Sequence, residues 1–296
     1  MLSSNITIGE NAHLYFGGQD TIALAAQYGT PLYVMDEIRI RENMRMYKNA
    51  FAQHFGPGSQ PLYASKACSF KRLYEIAAQE GVGIDVVSAG EIHTALKAGY
   101  PLSQAYFHSN NKTDWEIGYA MDLGVGCFVV DNREELDAIN TIAGEKGIKQ
   151  NILLRLTPGI DPHTYAAVAT GKVDSKFGTA IETGQALDMV GYTLRLANIE
   201  LKGFHCHVGS QVFGEDVYHR TADIMLGFMA QCRDTFGKEL EVLDMGGGYG
   251  VRYTANDPVI DIAANIRQVA QRMKERVTAA GIPMPHVYME PGRSIV

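Results

Sequence analysis

Residues 61–90 read PLYASKACSFKRLYEIAAQEGVGIDVVSAG. The stretch opens on a short apolar run, Leu62-Tyr63-Ala64, that ends at Lys66 among small residues. Apolar residues then recur at helical spacing through FKRLYEIAAQEG and stop at Gly81, a residue at which helices end readily. A second run, IDVVS at 84–88, is rich in β-branched residues. Strand, helix and strand in this order predict two parallel strands joined by a crossover helix. The pattern then repeats. Strand-type runs lie at 62–65, 84–88, 105–109, 127–131, 152–156, 201–209, 241–248 and 287–290, each ending in polar or glycine-rich residues. Helix-type segments separate them, among them AGEIHTALKAG, NREELDAINTIAGEKG, DVYHRTADIMLGFMAQCRDTFG and IDIAANIRQVAQRMKERVTAAG. Eight strands in alternation with helices predict an α/β fold, a (β/α)8 TIM-type barrel. A doubly wound open sheet is the competing architecture. The first strand-to-helix turn lacks the G-x-G-x-x-G pattern common in such sheets, which counts against it.

A helix-type segment, DEIRIRENMRMYKNAFAQHF at 36–55, precedes the first strand, and no helix-type segment follows the last. It is expected to fill the eighth outer position, so that the barrel spans 36–296. Residues 1–35 form a separate N-terminal segment. Its strand-like PLYVM, at 31–35, has no evident partner in the sequence, and the expectation is that further chain normally supplies one.

Composition narrows the function classes. With 46% hydrophobic and 20% charged residues the chain reads as a soluble globular protein. A net charge of −7 offers no basic footprint for nucleic acid, and no apolar run reaches membrane-spanning length. The N-terminus MLSSNITIGE lacks the basic and apolar regions of a secretory signal. Cys68, Cys127, Cys206 and Cys232 lie far apart with no C-x-x-C pair, which fits reduced thiols in a cytoplasm.

Barrel active sites form at the C-terminal ends of the strands. There the sequence places Lys66, Asp85, His108-Ser109-Asn110, Asp131, Arg155, HCHVGS, GGG and EPGR in strand order. A lysine at a strand end is either a surface charge or an amine held for chemistry, and Lys66 alone does not decide between them. In HCHVGS, strand alternation puts His205 and His207 on one face and Cys206 on the other. Two histidines at this spacing suit a metal only with a matching carboxylate or cysteine, and none is evident. A neutral imidazole lying against a flat ring is the better use, and no metal is expected. The triplet Gly246, Gly247 and Gly248 is either a tight turn or a cradle whose N–H groups reach an anion. In EPGR, Glu290 and Arg293 taken alone read as a surface ion pair. Taken together, an amine, an anion cradle, a ring-stacking histidine and a deep carboxylate are the parts that hold pyridoxal 5'-phosphate.

The stretches YASKA, GIDVVSAGEI, HSNNKT, PGIDPHTYAAVATGKVDSKFG, GFHCHVGSQVF, DMGGGYGVRYT and EPGRSIV cover residues 61–296 almost continuously. Through them the chain resembles the fold-type III, alanine-racemase-like pyridoxal phosphate decarboxylases, and most closely their diaminopimelate branch. The resemblance implies that Lys66 carries the cofactor and that His207 stacks on its ring. It implies that Glu290 meets the pyridine nitrogen, keeping the ring an electron sink. Ser210, Gly246, Gly247, Gly248 and the Glu290-Pro291-Gly292-Arg293 backbone would hold the phosphate, and Arg293 would contact phosphate or a substrate carboxylate. Asp85 and Arg155 would line the pocket, Asn110 and Lys112 would be rim positions, and SKFG at 175–178 would shape the pocket by a loop. The implied reaction converts meso-2,6-diaminopimelate to L-lysine and carbon dioxide. Family members are homodimers with a C-terminal β domain that supplies substrate-binding groups across the subunit interface. That domain is not recognisable in this sequence, and PLYVM would join its sheet. A related decarboxylase for ornithine, arginine or carboxynorspermidine and a non-enzymatic pyridoxal phosphate carrier both stay open as alternatives.

Overall fold

The computed structural model describes residues 4–161, 171 and 176–296. The N-terminal segment forms a small antiparallel sheet of β1 (Ile6–Ile8), β2 (Leu14–Phe16) and β3 (Gln19–Asp20), followed by α1 (Thr21–Tyr28). These strands are two or three residues long, too short to show a period in the sequence. PLYVM is not a strand here. With no partner for its backbone among the described residues, Leu32–Met35 lies on the surface, and Tyr33 is 97% exposed. Helix α2 (Glu37–His54) comes next. Asp36 caps it by accepting from the Ile38 and Arg39 amides at 3.0 and 3.2 Å, while its second oxygen accepts from Asn5 Nδ2 at 3.0 Å. One side chain thus starts the helix and ties the small sheet to it.

The barrel strands follow: β4 (Gln60–Ala64), β5 (Gly83–Val86), β6 (Ala105–Phe107), β7 (Cys127–Val130) and β8 (Gln150–Thr157). The two-residue β9 (Thr179–Ala180) only extends the end of β8. β10 (Ile199–His205), β11 (Val242–Asp244) and β12 (His286–Met289) complete the set. Parallel pairing runs β4-β5-β6-β7-β8-β10-β11-β12 and back to β4, closing the expected eight-stranded barrel. The crossover helices are α3 (Lys71–Glu80), α4 (Ala89–Lys97), α5 (Asp114–Asp122), α6 (Arg133–Glu145), α7 (Gln185–Thr193), α8 (Glu215–Phe236) and α9 (Ile262–Ala280). Helix α2 packs between α9 and α3, in the eighth outer position. The stop read at Gly81 is a left-handed C-cap, with φ of 65°.

Strand alternation sorts the side chains into two populations. Tyr63, Ile84, Val86, Phe107, Phe128, Val130, Ile152, Leu154, Phe204, Leu243, Val287 and Met289 join the core shared with the helices. Their neighbours Leu62, Cys127, Val129, Leu153, Val242 and Tyr288 form a smaller apolar cluster of their own, inside the barrel. The same alternation, carried one position further along the chain, turns Asp85, His108, Asp131, Arg155, His205, Asp244 and Glu290 inward above that layer.

Candidate active site

The inward polar row opens onto a cavity of about 440 Å³ lined by Lys66, His108, Arg155, His205, His207 and Glu290 among others. A second cavity of about 460 Å³ shares Lys66, His207, Ser210 and Glu290 with it and extends to Gly248, Gly292 and Arg293. The two are halves of one barrel mouth. A larger hollow of about 820 Å³ lies between the N-terminal segment and the barrel, and meets this mouth at Tyr253 and Arg293.

Lys66 sits in a single helical turn, Ser65–Ala67, directly after β4. The turn is fixed from below, because Ser65 Oγ lies 2.7 Å from the Asp85 carbonyl and 2.8 Å from Glu91 Oε2. Glu91 also accepts from the Val87 amide at 2.6 Å. Lys66 Nζ donates to Asp85 Oδ2 at 3.1 Å. Asp85 is fully buried, but Lys66 is not, since 48% of its side chain is reachable from the cavity. It stands in the wall of a hollow and not in the interior of the core. Desolvation lowers the affinity of its amine for a proton, but Asp85 and Glu290 outweigh that and hold it above the usual range.

His207 and the glycine triplet form one unit. Gly247 N–H donates to His207 Nδ1 at 3.1 Å, which places the imidazole proton on Nε2. Burial, reinforced by Lys66 and Arg155, holds the ring neutral. Gly246 N–H donates to Asp244 Oδ1 at 2.9 Å. Two of the three triplet amides therefore organise side chains, contrary to the sequence-based expectation of three anion donors. Gly248 and Gly292 are the glycines that line the mouth. All three triplet positions exclude a Cβ: it would stand 2.4 Å from the Cys206 carbonyl oxygen at Gly246, 2.0 Å from that of Glu290 at Gly247 and 2.1 Å from that of Gly209 at Gly248. Pro291 acts through its carbonyl, which accepts from the Ala64 amide at 3.0 Å and continues the β12–β4 seam. Arg293 donates to Ser210 Oγ at 3.3 Å and to Tyr253 Oη at 2.6 Å, on the cavity side of the seam.

Glu290 is buried, as Asp85 is. Its Oε1 lies 2.9 Å from His108 Nε2 and 3.3 Å from His205 Nε2, although neither N–H is aligned for a regular hydrogen bond. Burial opposes its charge, and the two imidazoles outweigh burial and hold the carboxyl well below the usual range. Asp244, beside it, is pushed well above the usual range by burial first and then by the Glu290 charge. Of two neighbouring carboxyls, one keeps its proton. His108, His205 and Glu290 offer three ligand atoms within 4.8 Å of one another, a grouping the sequence spacing did not reveal. Lys66 and Arg155 face the same hollow, so an ion there would meet two further cations.

Arg155 lies 3.8 Å from Asp131 and 4.3 Å over the Phe177 ring. Asn110 lines the cavity. Lys112 does not lie at the rim. It is buried, donating to the Ser109 and Val129 carbonyls at 2.8 Å each and to Glu135 at 2.7 Å, and so it holds the loop after β6 from behind. Of SKFG, Ser175 lies outside the described residues, as do residues 162–170 and 172–174 of the stretch before it. Asp244, Glu91 and Tyr253 also belong to the site's surroundings, and sequence spacing does not single them out. An acid inside the apolar strand run EVLDMGGG was the available signal for Asp244.

Pyridoxal phosphate fits this residue set. The buried Glu290 Oε1 and Asp85 Oδ1 each lack an aligned hydrogen-bond donor, so a protonated ring nitrogen suits the floor. An amine faces the cavity, and Ser210 and Arg293 offer anion donors at its other end.

Residues 37–296 match the family model "Pyridoxal-dependent decarboxylase, pyridoxal binding domain". Diaminopimelate decarboxylase of Bacillus methanolicus is 43% identical over 98% of this chain and 67% of its own length. That of Bacillus subtilis is 38% identical over 97% of this chain and 65% of its own length. The crystal structure of diaminopimelate decarboxylase from M. jannaschii in complex with L-lysine superposes with a TM-score of 0.87 at 30% identity, covering 99% of this chain and 67% of that one. The chain thus spans about two thirds of the length of these relatives. It belongs to the pyridoxal-dependent decarboxylases, in their diaminopimelate decarboxylase branch.

Proposed function

We propose that this chain is the cofactor-binding barrel of an enzyme that decarboxylates meso-2,6-diaminopimelate to L-lysine. The observation that carries the reading is the convergence of Lys66, His207 and Glu290 on one cavity at the C-terminal end of the barrel. Pyridoxal phosphate, when bound, supplies an aldehyde for a lysine amine and a protonated ring that accepts the electron pair of the breaking bond to the carboxylate. The chain's own residues do the rest. Asp85 holds the proton on Lys66 Nζ and fixes that amine at the inner wall. Glu290 presents a carboxylate kept charged by the imidazoles beside it. His207, neutral and fixed through Nδ1, offers a flat face. Ser210, Gly248, Gly292 and Arg293 form the anion end of the cavity. Arg155, braced on Asp131 and Phe177, adds a positive charge where a substrate carboxylate can sit.

The reading includes a cytoplasmic homodimer. It assigns residues 1–35 to a β domain completed by sequence of the kind that the longer relatives carry, and 36–296 to the barrel. The surface-lying apolar run Leu32–Met35 and the hollow beside it support that assignment. The test is turnover by the full-length protein offered meso-diaminopimelate, ornithine, arginine and carboxynorspermidine in parallel. Lysine formation from the first, well above release of carbon dioxide from the others, is expected. Preferred decarboxylation of another amino acid would overturn the substrate, and no decarboxylation of any would overturn the activity.

A further inference from the structure

We propose that His108 and His205 are positioning residues for Glu290, two imidazole edges that hold its buried carboxylate charged and in one orientation toward the cofactor ring nitrogen. The inference rests on the cofactor assignment above. It starts from topology. His108 follows β6, His205 ends β10 and Glu290 follows β12. None of these strands pairs with another of the three, so the side chains meet only because all three turn toward the barrel axis. The histidines pack edge to face, with ring centroids 4.8 Å apart and planes at 75°. Both Nε2 atoms then reach the same oxygen, Glu290 Oε1, at 2.9 and 3.3 Å.

Removing a carboxylate from water is strongly unfavourable unless donors replace the lost hydration. Glu290 is 3% exposed, and no aligned donor serves its Oε1. Two converging imidazole edges supply the compensation. Burial keeps His205 neutral, its pKa lowered to about 3, so it meets the carboxylate as a dipole and not as a cation. Asp85 Oδ1 lies 3.8 Å from the same His108 Nε2. Two histidines placed only for packing would have no reason to bring both Nε2 atoms within 3.3 Å of one oxygen.

The test uses the full-length protein stripped of cofactor. Dissociation constants are measured for pyridoxal phosphate and for its 1-deaza analogue, which carries C–H in place of the ring nitrogen. The variants are His108→Leu, His108→Gln and His205→Phe, with His205→Leu as the substitute should the larger ring prevent folding. The parent should prefer the natural cofactor. That preference should fall about tenfold in His108→Leu and in the His205 variant, as one of the two imidazole contacts that offset burial of the carboxylate is lost. His108→Gln, which retains an N–H donor, should keep most of it. The ratio of the two constants within one variant cancels any general loosening of the pocket. An unchanged ratio in either His108→Leu or the His205 variant overturns the inference. Failure of the parent to bind either compound would instead overturn the cofactor assignment.

Discussion

Replacing Gly247 with alanine tests how the triplet seats the end of β12. A Cβ there would stand 2.9 Å from the Glu290 carbonyl carbon and 2.0 Å from its oxygen, the latter more than an ångström short of the 3.4 Å at which ordinary contact begins. Both colliding groups are backbone, so no side chain can swing away. The Glu290 amide is held by the Gly246 carbonyl at 2.9 Å, and the Pro291 carbonyl by the Ala64 amide at 3.0 Å. Relief must therefore push the triplet outward or move Glu290. Overpacking of this kind costs about 1–3 kcal/mol. In a chain of this size that lowers the melting temperature by about 2–12 °C. The larger effect falls on chemistry. A carboxylate displaced by ~1 Å loses about 100-fold in rate, because orientation is lost before folding is. The assay pairs thermal unfolding with decarboxylation at saturating cofactor. A variant with the parental melting temperature and rate would refute the packing of the triplet against Glu290.

Three further outcomes follow from the same geometry. Asp244 holds its proton in the folded state at pH values where an unfolded chain has released it, so its contribution to stability falls as pH rises above about 4. Asp244→Asn keeps an acceptor for the Gly246 amide and removes that titration. Its denaturation curve between pH 4 and 7 should lack a slope that in the parent reaches about 1.4 kcal/mol per pH unit, and parallel curves would contradict the assignment. Lys112→Met leaves Glu135 buried without its cation and should lose about 3–5 kcal/mol in denaturant unfolding; a loss typical of a surface pair would show Lys112 to be solvated. Gly227, on the exposed face of α8 with nothing within 4 Å of a built Cβ, should gain about 1 kcal/mol on conversion to alanine, and a loss would indicate an unrecognised contact.

The barrel was legible because its strands are apolar runs that stop at polar residues, a pattern imposed by burial on both faces. LYAS, IDVVS and VYME each matched an observed strand to within two residues at either end. The inward row was legible for the same reason, since alternation from Ile84 and Val86 leaves Asp85 only one direction to point. Three features were hidden. The use of the Gly246 and Gly247 amides depends on where Asp244 and His207 arrive from other parts of the chain, which spacing does not encode. Lys112 looked like a rim charge in SNNKT because its partners Val129 and Glu135 lie 17 and 23 residues away. PLYVM carries strand composition, but a strand is a property of a pair, and its partner is not among the described residues.

The central claim is that Lys66 is the amine that carries the cofactor. Borohydride reduction of the full-length holoprotein, followed by proteolysis and peptide mass mapping, tests it most directly. The account predicts a single pyridoxyl group on the peptide that contains Lys66, and none after Lys66→Ala. A pyridoxyl group on Lys112 or on any other lysine, with Lys66 unmodified, would contradict it.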